Sequence, residues 1–306
     1  MSTGNVNASV PNAIAPTPLK IGTLAVVGVG LIGGSFAAAL KRAGCVGKVL
    51  GAGRRPETLQ EAVRLGLIDE AVSLSEAAAR ADLIFLAAPV GAFEAIFREL
   101  APALGPKTVI TDGGSTKQNV IEAARAGLQA RIAQFVPGHP MAGSHEKGPQ
   151  AADPNLYVGR RVMLTPLVEN HPQDVEFVRR AWQACGANVV SIEPTQHDGV
   201  VAAISHMPHW VAALFMEYIT HSDDSVLKLQ TAGSGFRDFT RVAQGSPEMW
   251  RDIFIANRAA MLVELQALKT VFERAEHALQ QSDAAWLEDM LDHASKARRD
   301  WQDLGA

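Results

Sequence analysis

The chain has 306 residues, 47% of them hydrophobic and 20% charged, enough to bury substantial cores and long enough to favour two domains over one. A net charge of -4, with both signs scattered along the chain, excludes the dense Lys/Arg surface that follows nucleic-acid phosphates. The two cysteines, Cys45 and Cys185, lie far apart without metal-ligand spacing, so they read as packing residues in a reducing, cytoplasmic compartment, and no metal site is expected.

Residues 1–20 are expected to form a flexible tail: they are short of large apolar residues, rich in Ser, Asn, Ala and Pro, and include Ala15-Pro16-Thr17-Pro18. No basic start leads into a long apolar run, and no later stretch has the charge-free length of a membrane span, so neither a secretory signal nor a membrane protein is expected. From Leu24, short β-branched runs alternate with helical patterns. Strands are predicted at Leu24–Val27, Val49–Leu50, Leu83–Leu86, Val109–Ile110, Phe135–Val136, Val162–Leu164 and Val189–Ile192. Helices are predicted at Phe36–Arg42, Pro56–Arg64, Ala92–Leu100, Gln118–Ala126 and Val175–Ala184. Such alternation implies parallel strands joined by helical crossovers. After about Pro194 the strand signals stop, and Val200–Thr220, Met249–Arg274 and Ala284–Leu304 run at helical period, interrupted by a glycine-rich break at Thr231–Arg241. The expected organisation is a Rossmann-type α/β dinucleotide-binding domain over residues 21–194, then an all-α domain over 195–306.

In VVGVGLIGGS, Gly28, Gly30 and Gly33 form G-x-G-x-x-G between the first strand and the first helix. The first two glycines permit a tight turn and close approach of a pyrophosphate, and the third permits helix–strand packing. The helix start at Leu31 and Ile32 supplies unpaired N–H groups. An NAD site usually has an acidic residue at the end of the second strand; here Gly53 stands there, followed by Arg54 and Arg55. Guanidinium groups bind phosphate bidentately, so NADP is favoured over NAD, the alternative being a solvated arginine pair. Ala88-Pro89, after the fourth predicted strand, suits a loop passing beside a dinucleotide.

His139 lies in Pro137-Gly-His-Pro-Met-Ala-Gly143. A residue before proline is pushed toward extended backbone, which predicts a strand end or loop start presenting the imidazole to an opening. On this stretch alone, a histidine that satisfies a turn is an equal reading. Together, Asp112-Gly-Gly-Ser-Thr-Lys117, Gly138-His-Pro-Met-Ala-Gly143, Ser205-His-Met-Pro-His209 and Gly235-Phe-Arg-Asp-Phe-Thr-Arg241 resemble the prephenate/arogenate dehydrogenase family of tyrosine biosynthesis. The resemblance implies a Rossmann domain followed by an all-α dimerisation domain, hence a homodimer, and oxidative decarboxylation of a small dicarboxylate with hydride transfer to NADP.

By the same resemblance His139 is the group that takes the substrate hydroxyl proton, and an imidazole suits a base at neutral pH. Ser115 matches the serine that bonds the histidine or the substrate hydroxyl, Arg241 the arginine that binds a substrate carboxylate, and His209 the histidine near the substrate side chain. Arg237 and His206 are less specific matches. Ser144 and His145 fall where the family contacts substrate. Many relatives have a glutamate where this chain has His145, and a carboxylate would welcome the ammonium of arogenate; prephenate, or both substrates, is therefore favoured over strict arogenate specificity. A non-catalytic NADP-binding sensor is the rival of a different class, and a 3-hydroxyacid dehydrogenase or pyrroline carboxylate reductase the rival among enzymes.

Overall fold

The structure, a computed structural model, describes residues 18–143 and 146–303, so most of the expected tail and the expected substrate-contacting Ser144 and His145 lie outside the described residues. Contacts divide the chain into two units. One comprises residues 1–88, 94–114 and 124–191; the other comprises 89–93, 115–123 and 192–306.

The first unit is built on six parallel strands: β1 (Ile21–Val27), β2 (Val46–Ala52), β3 (Glu70–Ala71), β4 (Leu83–Leu86), β5 (Val109–Asp112) and β6 (Phe135–Val136), in the order β3-β2-β1-β4-β5-β6. The chain therefore leaves β1 in opposite directions along the sheet, and a crevice at the strand carboxyl ends, between β1 and β4, is where such sheets take ligands. Helix α1 (Leu31–Arg42) follows β1, and α2 (Pro56–Arg64) follows β2. α3 (Leu74–Arg80), absent from the predicted elements, starts at a capping box in which Ser73 and Glu76 bond each other's backbone N–H. α4 (Phe93–Leu100) and α5 (Gln118–Leu128) cross from one unit to the other.

A second sheet, β7 (Gly138–Pro140), β8 (Arg161–Leu164) and β9 (Asn188–Ser191), departs from the expected all-parallel arrangement. β7 runs antiparallel to β8, while β8 and β9 are parallel across α6 (Pro172–Ala184). β7 is three residues long, and its direction is set by its pairing with β8. Phe36, Phe85, Tyr157 and Trp182 meet in the core, with Phe36–Phe85 and Phe36–Trp182 centroids 4.4 and 4.6 Å apart.

The second unit is helical in its carboxy-terminal part. α7 (Pro194–Val201) continues through a π-helical turn, Ala202–His206, into α8 (Met207–Thr220). This 27-residue run is by length and composition apolar enough to cross a membrane, contrary to the sequence expectation, which began the helix only at Val200. It also carries buried His197, Asp198 and His206, each with polar partners. Then come α9 (Ser225–Gln230), α10 (Ser234–Thr240), a 3-10 turn at Arg241–Gln244, α11 (Pro247–Ala256), α12 (Arg258–Gln281) and α13 (Ala284–Asp303).

Two expectations are corrected. The glycine-rich break contains α10, a short helix whose Thr240 hydroxyl bonds back to the Phe236 carbonyl. The run at Met249–Arg274 is two helices parted at Asn257, whose backbone leaves helical geometry at φ -101° and ψ 24°.

Candidate functional site

At the carboxyl edge of the first sheet, Val27 is paired with both Ala52 and Leu86. The loops beginning at Gly28, Gly53 and Ala87 thus leave from adjacent strand ends. Gly28 has φ +93°, and a Cβ there would sit 2.5 Å from the Ala87 carbonyl oxygen, so only glycine fits this turn. Gly30 precedes α1 in open space: a Cβ there would meet nothing within 4 Å. It provides no side-chain cap, and the first turn of α1 holds no acidic residue. The N–H groups of Leu31, Ile32 and Gly33 precede the first intrahelical bond, Gly34 N–H to Gly30 carbonyl at 2.8 Å, and are left for an external acceptor. A Cβ on Gly33 would strike the Gly28 carbonyl and Val26, so this glycine seats the helix on the strand. The cradle fits the pyrophosphate of a dinucleotide.

Gly53 has space: a Cβ would meet only Leu59, at 3.7 Å. Arg54 and Arg55 are exposed, and neither side chain makes an ion pair or hydrogen bond with any other described residue. Ala88 is half-buried beyond β4, and Pro89 opens the second unit's share of that loop.

His139 sits in the middle of β7, opposite Met163 of β8, and is 7% exposed. It is a buried strand residue rather than one at a strand end, since β7 is only three residues long and all three are buried. The Gly138 N–H before it donates to the Asp112 Oδ1 at 2.9 Å, which brings β7 against the end of β5.

In the second unit, Ser115 is half-buried on the connection into α5 and lies three residues past the end of β5. The start of α5 is capped from elsewhere: the Asp198 carboxylate accepts the N–H groups of Lys117 and Gln118 at 2.8 and 2.9 Å, together with a 2.8 Å bond from His197 Nδ1. Burial pushes the Asp198 carboxyl up, but these donors outweigh it and hold the group below the usual carboxylate range. The Ser115 hydroxyl is thereby relieved of capping.

The Asn257 side-chain N–H group donates to the Asp198 carbonyl at 2.8 Å and faces His206 Nδ1 at 3.1 Å. An amide fixed as donor makes Nδ1 the acceptor, so the His206 proton is on Nε2. Burial pushes the His206 pKa down to about 4. His209 stacks on Trp250 with ring centroids 3.7 Å apart, and its Nδ1 lies 3.0 Å from the Ser205 carbonyl, the geometry of a donated N–H that leaves Nε2 as acceptor. Burial lowers the His209 pKa, and the Arg241 charge lowers it further. Arg241 itself is exposed on the 3-10 turn after α10 and forms no ion pair with another described residue. Sequence reasoning does not single out Trp250, Asn257, Asp198 or Asp112; only the polar pair His197-Asp198 inside an apolar helix gives a signal.

A nucleotide-binding sheet followed by a helical unit agrees with what the chain matches. The prephenate dehydrogenase nucleotide-binding domain family matches residues 36–191, and the prephenate dehydrogenase dimerization domain family matches 193–293. The chain belongs to the prephenate dehydrogenase family. Prephenate dehydrogenase of Bacillus subtilis is 36% identical over 92% of this chain and 75% of its own length. Cyclohexadienyl dehydrogenase of Zymomonas mobilis is 32% identical over 90% of this chain and 94% of its own. The crystal structure of prephenate dehydrogenase from A. aeolicus, in complex with hydroxyphenyl propionate and NAD+, superposes with a TM-score of 0.86 at 32% identity, covering 92% of this chain and 99% of that one. The protein is an oxidoreductase of this family, and its dinucleotide fold is of the Rossmann type with a helical domain after it.

Proposed function

We propose that this enzyme converts prephenate to 4-hydroxyphenylpyruvate and carbon dioxide with NADP as hydride acceptor, and takes arogenate, giving tyrosine, as a second substrate. The observation that carries this reading is Arg241, an exposed guanidinium with no ion-pair partner among the described residues, beside a His209 kept neutral by burial. A cation without a carboxylate is a receptor for one, and prephenate brings two.

Bound NADP supplies the hydride acceptor. Gly28, Gly30, Leu31, Ile32 and Gly33 would hold its pyrophosphate, Arg54 and Arg55 the 2'-phosphate, and Ala88 and Pro89 would flank it. His139 takes the proton from the ring hydroxyl as the C–H bond breaks and a carbonyl forms. The bond from the ring to its carboxylate then breaks, and that electron pair moves through the ring to the carbonyl oxygen. The ring becomes aromatic, and the proton held on His139 returns to the oxygen. Ser115 bonds the imidazole or the substrate hydroxyl, Arg241 holds a carboxylate, and His209 lies along the substrate side chain, with Ser144 and His145 completing the contacts. His145 in place of a carboxylate removes a partner for the arogenate ammonium, which supports prephenate as the better substrate.

The division into a dinucleotide-binding domain over 21–194 and a substrate and dimerisation domain over 195–306 belongs to this reading, as does a homodimer. Large apolar residues of the helical unit stand exposed, among them Tyr218, Val226, Ile255 and Val263 at 64 to 67%, and such a surface calls for a partner. The test is the initial rate of reduced-cofactor formation with prephenate and arogenate, each with NADP and NAD. Turnover of prephenate with NADP is expected; cofactor binding without turnover of either substrate would make the protein a sensor and overturn the reading.

A further inference from the structure

We propose that Asp112 is a positioning residue for the reaction: one buried carboxylate that sets the backbone of His139 and of the loop leading to Ser115. The proposal rests on the assignment of His139 as base.

Asp112 ends β5 and is fully buried, a costly place for a carboxyl group unless its oxygens are used. Oδ2 accepts the Gly114 N–H at 2.8 Å, closing a turn two residues on, immediately before Ser115. Oδ1 accepts the Gly138 N–H at 2.9 Å, immediately before His139 and 26 residues away in sequence. The approach is close: a Cβ on Gly138 would lie 3.1 Å from the Asp112 carbonyl oxygen and 3.2 Å from Leu164, so a side chain there would push its neighbours aside by a few tenths of an ångström. Both acceptors therefore hold main-chain atoms adjacent to the residues that handle the proton, and neither bond touches the glycine turn at Gly28–Gly33. Positioning of this kind acts on the chemical step, where a displacement of about 1 Å costs about a hundredfold, and leaves cofactor affinity alone.

Asp112→Asn separates these effects. The amide keeps one acceptor oxygen but turns an NH2 group toward a backbone N–H, so one of the two bonds is lost. The expected result is a kcat lower by about ten- to a hundredfold, with the NADP dissociation constant within about twofold of wild type. The same substitution in a His139→Asn background should cost at least about tenfold less than it does in wild type, since a residue acting through His139 has little left to act on. A merely structural residue would lower both backgrounds by the same factor. If Asp112→Asn does not fold, judged by its melting transition, Asp112→Glu is read in the same way, because it keeps the charge and displaces both acceptors by one methylene. Unchanged kcat, or a loss undiminished in the His139→Asn background, overturns the proposal. Near-normal turnover of His139→Asn alone instead overturns the assignment of the base, and the two failures are thereby told apart.

Discussion

His206 makes stability depend on pH in a window set by its surroundings. The folded protein protonates it at about 4, because the ring is buried; the ordinary value of 6.5 applies once the chain unfolds. Between these values the unfolded chain binds more protons than the folded one, so stability falls as pH drops from about 6.5 and the loss is complete below about 4; above about 6.5 this contribution is fully present. A difference of about 2.5 pH units corresponds to roughly 3 kcal/mol, of which about 2 kcal/mol should be gone at pH 5. Protonation also puts a hydrogen on Nδ1, where the Asn257 amide already points a donor at 3.1 Å. Urea unfolding followed by tryptophan fluorescence at pH 7.5 and pH 5, at one fixed protein concentration, measures the loss. Asp and Glu residues contribute to any acid loss, so the comparison is with His206→Gln, in which the drop between the two pH values should shrink by roughly 2 kcal/mol. An equal drop in both proteins would refute the assignment of a neutral, amide-locked His206.

Other outcomes follow from the site. His139→Asn should lower turnover by about a hundred- to ten-thousandfold while NADP affinity stays near wild type, and the acidic limb of the pH–rate profile should go with it; retention of that limb would place the titrating group elsewhere. Arg241→Ala should raise the Michaelis constant for prephenate without weakening the cofactor, and an unchanged constant would pass the role to Arg237. Replacing Arg54 and Arg55 together by alanine should weaken NADP and spare NAD, and a clear preference of the wild type for NAD would return both arginines to the solvent. Light scattering should give twice the 32.6 kDa chain mass, and a monomer at micromolar concentration would contradict the homodimer.

What the sequence disclosed and what it withheld follow from the range of the interactions. The glycine turn was legible because its causes are local: Gly28 needs a positive φ and Gly33 a bare Cα against Val26, and both sit within one strand–turn–helix unit. The Ser73–Glu76 capping box was equally local and could have revealed α3. The reversal of β7 was not legible, since a three-residue strand has too few positions to display a period and its direction is set by pairing with β8 some twenty residues later. Motifs drew attention to the histidines but carried no sign of their protonation states. The tautomer of His206 depends on Asn257, 51 residues away, and the orientation of His209 on stacking against Trp250.

The same distance hides the acids that organise the site. Asp198 caps α5 from 80 and 81 residues away, and Asp112 reaches Gly138 across 26. A carboxylate in a sequence announces charge, and charge is expected at the surface. These two are buried and spend their oxygens on backbone N–H groups, at either end of the segment that holds Ser115. The proposed role of Ser115 needs a hydroxyl that is not spent on capping the helix that follows it. The cap on α5 comes instead from Asp198, 80 and 81 residues further along the chain, a distance at which no local pattern discloses it.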